Sequence, residues 1–221
     1  PKGVMLSNKN IMSNLISVSR LVPDIFKSKF LSFLPLSHVL ERTVGHFLAM
    51  NLKSKIYYAE NMESVGENMR EISPSVVVCV PRFFEKMYDK IMAGLKDAPA
   101  IRQKLFSWGL KIGKDYTNLT HANQSIPFLL KLKHKIADKL IYSKVRAKLG
   151  GKIKFFISGG APLPQKIAEF FSGIGITILE GYGLTETSPV LTSNTPKKIR
   201  FGTVGVKLDN VELKITEDGE I

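Results

Sequence analysis

Cysteine is nearly absent from this sequence. Cys79 stands alone, so no disulfide can form within the chain, and its place inside the apolar run Val76 to Val80 reads as a buried thiol rather than a nucleophile. Such usage suits a reducing compartment, and the expectation is a cytoplasmic protein. No uninterrupted apolar run reaches the roughly 18 residues that a membrane-spanning helix needs. The most apolar stretches, Phe30 to Leu36 and Ser75 to Pro81, are bounded by charge, proline or turn residues. Common catalytic signatures are missing too: there is no G-x-x-x-x-G-K-[ST], no G-x-G-x-x-G, no H-E-x-x-H and no G-x-S-x-G. Acidic residues are few, 19 against 32 Lys and Arg, which leaves a formal charge of +13. With 44% hydrophobic and 23% charged residues the composition is that of a globular protein, which excludes disorder and fibre.

The positive charge is concentrated. Arg102 to Lys154 carries thirteen Lys or Arg against Asp115 and Asp138, a net of +11 out of the total +13. Within it Leu129, Leu132, Ile136 and Leu140 recur at helical spacing, and Lys131, Lys135 and Lys139 recur every four residues on another face. This is a basic amphipathic helix with three readings. It can be a core helix with a solvated outer face. It can hold a peripheral protein at the inner face of a membrane through residues 102–154 and anionic headgroups. It can bind nucleic acid, but no zinc-finger spacing, aromatic RNA-binding signature or glycine-hinged recognition helix accompanies the charge, so no nucleic-acid partner is expected.

Along the chain, strand-length apolar runs alternate with helical patterns: Phe30 to Leu34 then Val39 to Leu52, Lys55 to Ala59 then Met62 to Ile72, Val76 to Val80 then Phe83 to Leu95. Strands that are apolar throughout are buried on both faces, which predicts an α/β fold with a mostly parallel sheet covered by helices. Residues 100–149 break the rhythm as a helical insertion with a loop around Thr117 to Pro127. A strand at Lys152 to Ile157, a turn at Ser158 to Pro162, a helix at Gln165 to Phe171 and a strand at Thr177 to Leu179 follow. Val211 to Ile215 alternates apolar and polar ahead of Asp218-Gly219, which predicts a strand and a tight turn. The expected division is an α/β core over 1–201, with the insertion at about 96–150, and the start of a small β subdomain over 202–221. Pro1-Lys2-Gly3 at one end and a severed hairpin at the other suggest an internal piece of a longer polypeptide.

Two glycine-rich loops fall at strand ends, Ser158-Gly159-Gly160-Ala161-Pro162 and Glu180-Gly181-Tyr182-Gly183-Leu184-Thr185-Glu186-Thr187. Ligands of open α/β sheets bind outside the carboxyl ends of the strands. Glycine lets the backbone approach a flat ring, a tyrosine face stacks on it, and a hydroxyl with a carboxylate holds a hard cation beside phosphates. The same glycines could equally form ordinary turns, with Glu186 a solvated loop acid.

The order and spelling of these segments resemble the adenylate-forming (AMP-binding) family, and within it the long-chain fatty acyl-CoA synthetase branch. Pro1-Lys2-Gly3-Val4 resembles the tail of the family's phosphate loop, Leu34-Pro-Leu-Ser-His38-Val-Leu-Glu-Arg42 its next motif, Ser158 to Leu163 the adenine-binding loop, and Gly181 to Glu186 its most diagnostic motif. Gly202-Thr-Val-Gly205 fits the segment that follows. Pro81-Arg82-Phe-Phe-Glu85-Lys86-Met-Tyr88 and the insertion resemble the long-chain branch.

The resemblance implies activation of a long-chain fatty acid with ATP and Mg²⁺ to an acyl-adenylate, then transfer to coenzyme A. It implies that Tyr182 stacks on adenine, that Gly159, Gly160, Ala161 and Pro162 line the other side of the ring, and that Gly181 and Gly183 keep the backbone close. Thr185 would contact phosphates, Glu186 hold Mg²⁺, His38 sit near the reacting carboxylate and Lys2 reach the terminal phosphates. Glu41, Arg42, Arg82 and Glu85 are expected as packing and ion-pair residues of the frame. Adenylation of another acid, or transfer to a carrier protein, remains an alternative, as does a basic membrane or nucleic-acid binding module.

Overall fold

The strands form where β-branched and aromatic residues cluster in short runs. In the computed structural model, which describes residues 3–221, they are β1 (Lys29–Ser32), β2 (Lys55–Tyr58), β3 (Val76–Cys79), β4 (Phe155–Ser158), β5 (Ile178–Gly183), β6 (Val190–Ser193) and β7 (Val206–Lys207). They make one seven-stranded sheet in the order β2-β1-β3-β4-β5-β6-β7. The pairs β2-β1, β1-β3, β3-β4 and β4-β5 are parallel; β5-β6 and β6-β7 are antiparallel. The predicted α/β architecture with a mostly parallel sheet is therefore present.

The period-two alternation of a strand divides the core into two layers. Leu31, Val77, Cys79, Phe156 and Ile178 face one side, where they meet α3 (Val65–Ile72), α4 (Pro81–Lys96), α5 (Ala100–His121) and α8 (Gln165–Gly173). Phe30, Val76, Val78, Phe155 and Leu179 face the other, against α1 (Asn8–Leu21) and the helix that ends as α2 (Leu48–Asn51). Phe84 is central to the first layer, edge-on to Phe156 at 5.5 Å between ring centroids and to Phe171 at 5.9 Å. Each such pair adds about 0.5–1.5 kcal/mol beyond burial. Cys79 is free and buried, with its thiol pKa pushed up by burial and then by the neighbouring Glu41 charge. This is the buried thiol that its apolar flanks predicted.

Helix α1 escapes the β-α reading but is well specified locally. Ser7 is its N-cap: the Asn10 N–H donates to Ser7 Oγ (3.2 Å) and the Ser7 N–H donates to Asn10 Oδ1 (2.9 Å), a reciprocal cap. Pro81 begins α4, at a position where a missing N–H costs nothing. The insertion is longer in helix than expected. α5 runs on to His121, so the loop before α6 (Phe128–Ala137) is shorter than Thr117 to Pro127, and α6 continues through a π-helical stretch, Asp138–Tyr142, into α7 (Ser143–Ala147).

Two contacts fix this insertion. The ring of Tyr116 on α5 stacks on His134 of α6 at 3.9 Å, and the buried Tyr142 hydroxyl donates to Gly109 O at 2.6 Å. Where α5 crosses α8, the main chains of Gly113 and Gly173 meet so closely that a β-carbon at Gly113 would overlap the Gly173 carbonyl.

Toward the C-terminus the expected strand at Val211 to Ile215 has no ladder partner among the described residues. A lone strand cannot satisfy its own backbone. The turn itself forms, with the Gly219 N–H donating to Thr216 O at 3.0 Å. No helix among the described residues is long and apolar enough to cross a membrane.

Candidate functional site

The carboxyl ends of β4 and β5 open into one cleft of about 270 Å³, walled on the far side by α1 and by the segment that starts at His38. Its lining brings together His38, Gly159, Gly160, Gly181, Tyr182, Gly183, Thr185 and Glu186. Eight of the expected site residues, drawn from three separate motifs, thus converge. Ala161 and Pro162 continue the same loop but are exposed and stand outside the lining. Lys2 lies outside the described residues.

The geometry of the second loop comes from its strands. β5 and β6 are antiparallel with a register shift at Tyr182 and Gly183, and a β-carbon on Gly183 would overlap the Pro189 carbonyl. Leu184 N–H then donates to Pro189 O (3.1 Å), closing a loop that carries Thr185 and Glu186 at its exposed tip. Thr187 pins it from within: its hydroxyl accepts from Leu184 N–H (2.9 Å) and donates to Pro189 O (2.6 Å). Gly160 in the other loop has φ +84°, a left-handed conformation that glycine adopts without steric cost. Glu180, buried within β5, has its pKa raised by burial, an effect partly offset by the backbone N–H of Leu163 just past the first loop. That contact ties the first loop to the strand that bears the second.

His38 is exposed, and its Nδ1 accepts the Leu40 N–H at 3.3 Å. In the neutral ring the proton must then sit on Nε2, which leaves that nitrogen as a hydrogen-bond donor. Ser158 is buried, lines the cleft, and its Oγ has no partner among the described residues, so a donor is available on the cleft floor. Thr187, Glu180 and Ser158 lie inside the two loops that the sequence singled out, but no role was expected of any of them. Ser158 had a signal, the polar end of an otherwise apolar strand. Thr187 and Glu180 act through loop closure that no spacing reveals.

Glu41 departs most from expectation. It opens a π-helical stretch, Glu41–Phe47, and is fully buried, with neither carboxylate oxygen in a hydrogen bond and no cation paired with it among the described residues. Burial raises its pKa from 4.5 to about 7, only partly offset by the Ser32 hydroxyl. Gly45, one turn on, makes room for it, since any β-carbon there would run into the carboxylate. The ion-pair role expected of Glu41 is thus not found, and Arg82 and Glu85 make only a loose contact at 3.9 Å. Arg42 instead donates its Nε to Leu36 O at 2.8 Å, bracing the turn before His38.

No group of three or more His, Cys, Asp or Glu among the described residues could cage a metal. The site nonetheless suits a cation that arrives with its ligands. Mg²⁺ is commonly held by one or two carboxylates and completes its shell with phosphate and water oxygens. Glu186 offers one exposed carboxylate at the rim of the cleft.

A glycine-rich cleft at the carboxyl ends of parallel strands, with these loops in this order, has known counterparts. The model of the AMP-binding enzyme family matches residues 1–221. The chain belongs to the AMP-binding enzyme family. Among its relatives, the long-chain-fatty-acid–CoA ligase FadD15 of Mycobacterium bovis is 34% identical, aligned over all of this chain and 36% of its own length. The long-chain-fatty-acid–[acyl-carrier-protein] ligase AEE15 of Arabidopsis thaliana is 30% identical over 98% of this chain and 33% of its own length. This chain therefore spans about a third of the length of the curated relatives it matches. The crystal structure of ATP-bound MatB from Rhodopseudomonas palustris superposes with a TM-score of 0.64 at 22% identity, over 99% of this chain and 34% of that one. It shares the fold of this AMP-binding chain.

Proposed function

We infer that this chain forms the nucleotide- and acid-handling part of a ligase that adenylates a long-chain fatty acid and passes the acyl group to coenzyme A. The observation that carries the reading is the convergence of Tyr182, Thr185, Glu186, Gly160 and His38 on one cleft. The long-chain assignment draws support from the relative at 34% identity and from the apolar inner wall of the cleft, where Val18, Leu40, Val44 and Val190 offer a surface to an aliphatic chain.

In the first step a carboxylate oxygen attacks the α-phosphorus of ATP, a P–O bond forms, and the bond to pyrophosphate breaks. Both reactants are anionic, so the barrier is largely electrostatic repulsion. Bound Mg²⁺ supplies charge neutralisation at the phosphates. Tyr182 stacks on adenine, with the loop Gly159 to Pro162 on the ring's other side, and the Thr185 hydroxyl donates to phosphate oxygen. Glu186 holds the cation, and Lys2 adds a positive charge. His38, its Nδ1 engaged by the Leu40 N–H, donates from Nε2 to the fatty acid carboxylate. In the second step the thiol of coenzyme A attacks the acyl carbon and AMP leaves. The Arabidopsis relative's carrier-protein specificity keeps a protein thiol as the second candidate acceptor.

The test is palmitate-dependent pyrophosphate release from ATP with Mg²⁺, measured on the full-length parent and on its Glu186→Ala variant. Near-complete loss in the variant, with the circular dichroism spectrum unchanged, is expected. Release that survives the substitution would remove the metal role from Glu186. No release with any acid would overturn the assignment of the reaction.

A further inference from the structure

The basic amphipathic helix is turned the opposite way to a core helix. The inward face of α6 consists of Leu130, His134 and Ala137, continued by Ile141 and Tyr142, which pack on the core or on Tyr116. The stripe that helical spacing picked out faces solvent: Leu129 is 60% exposed, Leu132 46%, Ile136 45% and Leu140 41%, with Phe128 at the helix start 82% exposed. Lysines flank this stripe. In helical projection Lys133 lies along one edge and Lys131, Lys135 and Lys139 along the other, all exposed. Asp138 is the single acid of the stretch Phe128 to Lys148, and it is occupied by Arg146 at 2.7 Å. Five large apolar side chains in water, bordered by cations with no free acid between them, make a surface with a defined complement.

We propose that this face of α6 docks the protein on an anionic lipid surface. Aliphatic side chains enter the acyl boundary while the lysines, their stems along the apolar surface, keep their ammonium groups at the headgroups. Each lysine near such a surface adds to the attraction. A protein partner fits less well, because lysine is depleted in protein interfaces and here it borders the stripe on both sides. Nucleic acid fits less well again, since phosphates gain nothing from Leu129, Leu132 and Ile136. The inference goes beyond the proposed reaction and does not depend on it.

The experiment is co-sedimentation of the full-length parent with vesicles of phosphatidylcholine alone and of phosphatidylcholine with about 30 mol% phosphatidylglycerol. Binding to the anionic vesicles that weakens as salt rises, with little binding to the neutral ones, is expected. The double variant Leu132→Ser/Ile136→Ser should bind at least about tenfold more weakly, and so should Lys131→Glu/Lys135→Glu. All four positions are exposed, so the circular dichroism spectrum should not change. Failure to bind anionic vesicles, equal binding to both kinds, or serine variants that bind like the wild type would overturn the proposal. So would sedimentation velocity showing a dimer that the serine variants convert to monomer, because the stripe would then be a subunit interface.

Discussion

Replacing Glu41 with glutamine should remove a pH dependence from the stability of the protein. The wild-type carboxyl is buried, has neither oxygen in a hydrogen bond, and has its pKa raised from 4.5 to about 7. A folded state that holds the proton more tightly than the unfolded chain is most favoured when both are protonated. This contribution is therefore full below pH 4.5, falls as pH rises towards 7, and is flat above. One pH unit corresponds to about 1.4 kcal/mol, so the fall across the window is about 3 kcal/mol. Glutamine has nearly the same shape and no proton to lose. Whatever its own cost in this pocket, that cost does not vary with pH, so the comparison rests on the difference between the two proteins and the other titrating groups cancel. The assay is urea unfolding of both proteins at about pH 5, near the start of the fall, and at about pH 8, beyond its end. The variant should gain about 2.5 kcal/mol on the wild type between the two. Parallel behaviour would refute the argument, showing that Glu41 finds a donor or reaches water.

Gly183→Ala should lower stability by about 1–3 kcal/mol, because the new β-carbon meets the Pro189 carbonyl and β5 and β6 must part. Isothermal titration should show weaker ATP binding as well, since Thr185 and Glu186 hang from that pair of strands; unchanged stability and affinity would show that the strands can yield. Tyr142→Phe removes a buried hydroxyl whose pKa is pushed up to about 12 by burial, and with it the 2.6 Å hydrogen bond to Gly109 O. Its expected cost in urea unfolding is about 1–2 kcal/mol, and a neutral result would mean that the Gly109 carbonyl is satisfied within its own helix.

The sheet was legible because its signal is local. Runs such as Val76 to Cys79 are apolar at every position, and the structure buries all four. The loops at the ends of β4 and β5 could be found from their glycines, and their shared cleft follows from placing those strands side by side. Helix α1 was within reach too, since Ile11, Leu15 and Val18 recur at helical spacing behind the Ser7 cap, but serine and asparagine dilute the pattern. The π-helical stretches were not within reach. They depend on how Glu41 lies over Gly45 and how Ile141 and Tyr142 reach the core, which are tertiary outcomes. The outward turn of α6 was equally hidden. Periodicity identifies an apolar face but not what that face meets, and here the small inward side, Ala137 with His134 on Tyr116, secured the helix instead.

The glycine crossing of α5 and α8 makes the insertion and the cleft parts of one linkage. Between most packed helices there are rotamers that can yield, but at Gly113 and Gly173 main chain bears on main chain. A push on α5 would therefore move α8 as a rod rather than be absorbed. α8 begins at Gln165, three residues after the turn that contains Gly160, so the rod ends close to the wall of the cleft. Arg146 adds a second strut, reaching from Asp138 at the end of α6 to Ile174 O just beyond α8. The helical hairpin is in mechanical terms a handle, and the absent side chain at Gly113 keeps it stiff.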